Sequence, residues 1–289
     1  MKARFLLLPL LLATACSTPQ PRYLVGEPYT MGGVWSYPRE DFALVETGLA
    51  TRQAGPGWNT PTANGEAWSS TRALAAHRTL QLPAVVTVTN LENGRALTLR
   101  VNDRGPVNPG RVIGLSDRAA DLLGIPAGAA TQVRIEVDGE RSRALGERTL
   151  GRPPEAVAIE AAPRAAVAAE SLDPLPGARS AGQRAVATPV AAVAPAAAAP
   201  PPEVVLPETV TTGAPRPGRI VIEAGILSRA DAAQRLAARI PGARVEAFGP
   251  RRDQRYRVRV GPFSSAAAAD AVLERTLAAG VSGARILVD

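Results

Sequence analysis

The chain has 289 residues and a net charge of +7, yet it holds one His, one Cys and one Lys, so arginine supplies nearly all of its positive charge. A His/Cys zinc centre or a clustered-imidazole metallohydrolase needs several ligands of those types and is excluded. Any Cys-His or Ser-His nucleophilic site would have to use His77. No intramolecular disulfide can form, no cofactor or metal is expected, and the length fits about two domains.

In chain order, Lys2 and Arg4 precede an apolar run over residues 5–13, the length of a signal-peptide core and too short to span a bilayer. The run ends in Ala13-Thr14-Ala15, directly before Cys16, and resembles a bacterial lipoprotein cleavage box in which the thiol is acylated. An ordinary secretory signal followed by an incidental free thiol is the alternative. The lipoprotein reading makes 1–15 a signal peptide and Cys16 an anchor in a membrane, the outer membrane being the expected one, with the protein facing the periplasm. Export also removes nucleic acid as a partner, although a strongly basic chain would otherwise raise it.

Residues 16–45 form an N-terminal arm carrying five of the eleven aromatics, expected to lie on the domain that follows. Residues 46–138 read as a small, mainly antiparallel β domain. Strand-like runs fall at 84–89, 96–101 and 132–137, with Asn93-Gly94 as a hairpin signature. A short helix is expected from Ser116, as cap, to Gly124. Over 139–217 periodicity gives way to Ala, Pro, Glu and Val, a composition that buries too little apolar surface to offset chain entropy. This stretch is expected to be a disordered linker reaching from tens of ångströms to roughly 200 Å.

Residues 218–289 return to order as strand, helix, strand, strand, helix, strand. The strands are expected at 219–226, 244–248, 256–261 and 284–288, and the helices at 229–240, capped by Ser228, and 266–279, capped by Ser264 or Ser265. Alternation over 256–260 places Tyr256, Val258 and Val260 on one face and Arg257 and Arg259 on the other. Two helices against one sheet face make a split βαβ arrangement. This segment has twelve Arg against seven Asp and Glu, an excess equal to that of the whole chain without its leader.

Two stretches carry more polar character than packing requires: Thr62-Ala63-Asn64-Gly65-Glu66 with Ala75-Ala76-His77-Arg78-Thr79-Leu80, and Val101-Asn102-Asp103-Arg104-Gly105-Pro106. Taken singly, Asp103 reads as a capped turn, Glu66 as a solvated carboxylate and His77 as a packing residue. Together with Tyr37-Pro38-Arg39-Glu40-Asp41-Phe42, Glu46-Thr47-Gly48 and the YRVRVGPF run at 256–263, they resemble the rare lipoprotein A family of septal lytic transglycosylases. The resemblance implies a double-psi β-barrel and a separate α+β SPOR domain, a four-stranded antiparallel sheet with two helices.

It further implies cleavage of the MurNAc–GlcNAc β-1,4 bond without water, leaving 1,6-anhydro ends. Asp103 would act as the acid and base, with Glu66 and His77 orienting substrate or raising the acid's pKa. Asn64, Arg104 and Trp68 are candidate substrate contacts, Arg104 equally a holder of the turn. Arg219, Arg257 and Arg259 are candidate contacts of the SPOR-like segment to peptide-free (denuded) peptidoglycan strands, whose freed lactyl carboxylates suit guanidinium forks. Divisome proteins are candidate partners. A non-catalytic septal glycan-binding lipoprotein is the competing class. The likeness breaks at 50–54, Ala-Thr-Arg-Gln-Ala where the family carries Ala-Ser-Trp-Tyr-Gly, and at Gly114, where an Asp is expected.

Overall fold

The computed structural model describes residues 21–57, 60–151 and 206–289. The leader, Cys16, Trp58 and the Ala/Pro-rich run at 194–202 lie outside the described residues.

The arm opens with a two-stranded hairpin, β1 (Tyr29–Met31) and β2 (Val34–Ser36). It lies on the next domain as expected: Leu24 bridges Leu82, and the Arg22 amide donates to the Asn64 carbonyl at 2.8 Å.

Six strands then close on themselves: β3 (Val45–Arg52), β4 (Leu74–His77), β5 (Ala84–Asn90), β6 (Arg95–Asp103), β7 (Ile113–Leu115) and β8 (Thr131–Val137). The order β4-β7-β3-β8-β5-β6 returns to β4 through a β4–β6 pairing, so none of the six is left as a free edge. The pairs β3–β7 and β4–β6 are parallel and the rest antiparallel, which is the expected closed barrel. Its interior is filled by alternating apolar side chains, among them Val86, Val88, Leu97, Leu99, Val133 and Ile135. Helix α1 (Asp117–Leu123) packs at the barrel end, its N-terminus capped by Ser116 Oγ and its last turn closed by Gly124 in the left-handed conformation.

The linker expectation is corrected at both ends. Residues 139–149 form helix α2 (Gly139–Thr149), capped by Asp138, and β9 (Val210–Thr212) pairs antiparallel with β6. Helix α2 seats on β5 through small residues: the Ser142 hydroxyl accepts from the Val85 amide at 2.9 Å, and Gly146 lies against the Tyr23 ring. A contact face of Ser142, Leu145 and Gly146 offers a single apolar residue, too few for a period to be read. The middle of the expected linker, 152–205, lies outside the described residues.

The C-terminal unit contains β10 (Ile220–Leu227), α3 (Ala230–Ala238), β11 (Arg244–Phe248), β12 (Arg255–Phe263), α4 (Ala266–Ala278) and β13 (Arg285–Val288). The sheet order is β11-β12-β10-β13, all antiparallel. Ser265 caps α4 through the Ala268 amide. Helix α3 is capped by Arg229 rather than the expected Ser228, with extended backbone and no side-chain bond. Val258 and Val260 are buried on the helix side, as the alternation requires.

The two units meet along β3 and β13. Thr47 Oγ1 donates to the Val288 carbonyl at 2.5 Å, Arg285 Nη1 lies 3.3 Å from Glu46, and Arg111 forks onto Asp270 at 2.7 and 2.8 Å. Leu49, a barrel residue with no exposed surface, belongs to the C-terminal apolar core.

Candidate functional site

Asp103 stands at the end of β6. The β4–β6 ladder shifts register between Ala75, opposite Val101, and Ala76, opposite Asp103. Such a bulge re-aims the side chains beside it. The Asp103 carboxylate is 8% exposed, and its Oδ1 accepts from the Ala63 amide at 2.9 Å and the Arg104 amide at 2.8 Å. Burial pushes its pKa above the usual carboxylate value, outweighing the two amides and the charge of Arg104. Of the two roles expected of Glu66 and His77, orienting substrate or raising this pKa, the second does not hold, since burial is the cause.

Glu66 is 5% exposed and fully engaged. Arg100 forks onto it, Nε to Oε2 at 2.9 Å and Nη2 to Oε1, while Asn64 Nδ2 reaches Oε1 at 2.7 Å and Asn102 Nδ2 reaches Oε2 at 3.3 Å. Asn64 Oδ1 accepts from Thr62 Oγ1 at 2.9 Å, so its carboxamide faces inward too. This cluster stabilises the 62–66 turn, and that turn supplies the Ala63 amide to Asp103. Glu66 therefore touches the acid through the backbone it holds. Asn64 and Glu66 are both enclosed, not presented to a substrate.

His77 is buried at the end of β4. Its Nδ1 accepts from the Thr79 amide at 3.2 Å and the Leu80 amide at 3.1 Å, which puts the ring proton on Nε2, 3.8 Å from Glu46 Oε2. Burial opposes the charged form of Glu46, but the facing imidazole and Arg285 outweigh it and hold the carboxyl below its ordinary pKa. The imidazole thus faces Glu46 while the Asp103 carboxylate faces the 62–66 turn. Among the described residues, no hydrogen bond joins the side chains of Asp103, Glu66 and His77 to one another.

Arg104 holds the turn and the arm. Its guanidinium donates to the carbonyls of Leu80 at 2.5 Å, His77 at 3.4 Å and Val25. Burial lowers its pKa from the ordinary value. Trp68 is half-buried against Gly55. On the open sheet face, Arg257 pairs with Glu246 at 2.9 Å and lies over the Phe248 ring. Arg259 is held by Asp289 at 2.6 Å and approaches Glu223 and Glu246 at 3.9 and 4.0 Å. Arg219 is exposed, its backbone paired with Asp289.

Sequence reasoning missed Glu46, Arg100 and Gln53 as members of the site. Glu46 had a signal, since it opens the Glu46-Thr47-Gly48 motif. Gln53 Nε2 lies 3.5 Å from the Arg104 carbonyl, and its Oε1 is buried with no partner among the described residues. A Cβ added at Gly114 would collide with the Gln53 side chain, and one at Gly105 would come within 2.5 Å of it. The two departures from the family pattern therefore touch each other beneath the Asp103–Pro106 turn.

Comparison with known proteins agrees in both halves. Residues 52–137 match the lytic transglycolase family and residues 217–286 the SPOR domain. A curated protein of Pseudomonas aeruginosa named endolytic peptidoglycan transglycosylase RlpA is 34% identical over 263 residues, covering 87% of this chain and 73% of its own length. Proteins of the same name are 38% identical over 117 residues in Rickettsia bellii, 39% of this chain and 52% of theirs, and 42% identical over 127 residues in Campylobacter jejuni, 43% and 46%.

Proposed function

This chain belongs to the rare lipoprotein A family of endolytic peptidoglycan transglycosylases, and from that membership we propose that Asp103 performs the bond-breaking chemistry on peptide-free glycan at the division septum. The protein is an enzyme of the cell envelope, with a transglycosylase barrel and a glycan-binding SPOR domain.

The observation that carries the residue assignment is the nearly buried carboxyl at the end of β6, anchored through Oδ1 by two backbone amides and raised in pKa by burial. An acid of that kind keeps its proton at a pH where an ordinary Asp has lost it. Oδ2 donates that proton to the glycosidic oxygen as the bond from C1 of MurNAc breaks. The resulting carboxylate accepts the proton of the same sugar's C6 hydroxyl while that oxygen bonds to C1. One carboxyl serves both steps, no water is consumed, and the product ends in 1,6-anhydro-MurNAc. His77, fixed by Glu46, and Glu66, fixed by Arg100, are positioning residues in this reading.

The test digests amidase-treated sacculi with the wild-type chain and with Asp103→Asn, scoring anhydro-ended sugars by mass spectrometry. Product from the wild type alone is expected. Equal product from both would refute the role of Asp103, and none from either would favour a glycan-binding lipoprotein.

The same reading makes Cys16 the acylated first residue of the exported protein, anchored in the outer membrane and working beside divisome proteins. Support comes from the apolar run over 5–13 and the small residues before Cys16. A clickable fatty acid fed to the cells should label the wild type and not Cys16→Ser.

A further inference from the structure

Trp35 and Tyr37 are 53% and 65% exposed, the two most exposed aromatic rings among the large apolar side chains of the described residues. Their rings lie 25° from parallel with centroids 6.4 Å apart. The backbone beneath them is pinned. Trp35 pairs with Thr30 in the β1–β2 hairpin, Ser36 Oγ accepts from Arg78 at 3.3 Å, and the Arg39 amide donates to the Thr79 carbonyl at 2.9 Å. Two large rings stacked on each other and mostly open to water form an exposed apolar patch, of the kind that marks a binding surface.

The rings line a cavity of about 340 Å³ between the barrel and the C-terminal unit, whose other walls include Arg39, Glu46, His77 and Arg285. That volume is at the small end for ligand sites, about one ring-sized group with the rest of a chain continuing along the surface. A pyranose presents a C–H face that stacks on an aromatic ring and a polar rim that needs hydrogen-bonding side chains. The Arg39 side chain at the same mouth is 73% exposed, pairs with Asp41 at 3.2 Å and lends its charge to nearby Glu46. A surface pair of that kind is weak, so its guanidinium is available for a carboxylate.

We propose that Trp35, Tyr37 and Arg39 form a glycan subsite at the junction of the two units, the rings stacking on a sugar face and Arg39 taking the lactyl carboxylate of a muramyl residue. This rests on the transglycosylase reading for its choice of sugar. It also supplies an aromatic platform in a chain that lacks the family's Trp-Tyr at 52–53. Because the subsite borders His77 and Glu46, a strand leaving the C-terminal sheet past Arg285 reaches the barrel by way of these rings.

The test uses the full chain carrying Asp103→Asn, so that substrate is bound and not consumed. The probes are a peptide-free GlcNAc–MurNAc tetrasaccharide and chitotetraose, followed by tryptophan fluorescence. Trp35 lies in the cavity wall, so its fluorescence reports on the subsite directly. A saturable change is expected with both sugars and should shrink in Trp35→Phe, which leaves Trp58 and Trp68 as the remaining reporters. Tyr37→Ala should weaken both sugars at least tenfold. Arg39→Gln should weaken the muramyl tetrasaccharide about tenfold and leave chitotetraose within twofold. Unchanged affinities in Tyr37→Ala, or an equal loss of both sugars in Arg39→Gln, would overturn the subsite. The titration needs no turnover, so an inactive wild-type chain would sink the catalytic reading while the binding data still decide for or against the subsite.

Discussion

His77 Nε2 faces Glu46 Oε2 at 3.8 Å, and the other oxygen of the same carboxylate is 3.3 Å from Arg285 of the C-terminal unit. One carboxylate therefore sets the imidazole and receives a cation from the other domain. Its folded pKa lies below the ordinary value, so its contribution to stability is present above the unfolded pKa and is lost as pH falls through the folded one. Glu46→Gln should remove that acid-side loss, flattening Tm against pH below about 4.5, at a cost of about 1 kcal/mol at neutral pH. Turnover should fall about tenfold to hundredfold as the ring loses its orienting partner. Thermal melts across pH and anhydro-sugar release measure the two effects.

The sign is opposite at Asp103. A carboxyl whose folded pKa is raised favours the folded state at low pH, and that contribution is lost as pH rises through the folded pKa. Asp103→Asn can still accept from the Ala63 and Arg104 amides through Oδ1. It should abolish product while leaving Tm at neutral pH unchanged or higher. Wild-type turnover should decline on the alkaline side as Asp103 loses its proton, which a pH–rate profile reads directly.

Glu66→Gln should behave differently, because it leaves Arg100 buried without its counter-charge. Breaking one partner of a buried pair costs about 3–5 kcal/mol. Activity and Tm should then fall together, with activity recovering at lower temperature if the 62–66 turn reforms. A loss of product with no loss of Tm would make Glu66 a direct participant.

The alternation in β12, the Asn93-Gly94 hairpin and the Ser116 cap were legible because each is decided by neighbours within a few residues. The order of six strands around a barrel was legible only through resemblance, since β4 pairs with β6 and β7 across long separations. Asp103 does stand at a strand end, as its sequence context indicates. Its environment was not legible, because burial, not a second charge, raises its pKa. Arg257 and Arg259 read as outward cations, and the carboxylates that engage them, Glu246 and Asp289, come from other strands or the chain end. Nor could one chain position reveal that residues 53 and 114 touch.

That last contact gives its own prediction. Restoring a side chain at Gly114, by Gly114→Ala, should cost about 1–3 kcal/mol through overpacking against Gln53. Gln53→Ala should open that space, so the double variant should be more stable than the sum of the two single changes. A double-mutant cycle on urea midpoints measures the coupling, and additive effects would separate the two positions.

The segment between α2 and β9 has both flanks on the same body. Helix α2 sits on β5, and at the other flank Glu208 accepts from the Ala73 amide at 2.9 Å and pairs with Arg118 at 2.8 Å, ahead of the β9–β6 pairing. The described flanks of that segment, residues 139–149 and 206–212, therefore both rest on the barrel. The SPOR domain is held to the barrel along the β3–β13 seam, through Thr47, Glu46 and Leu49. A charge at Leu49, inside the shared core, should free the domain, which limited proteolysis would read as a faster release of the C-terminal unit.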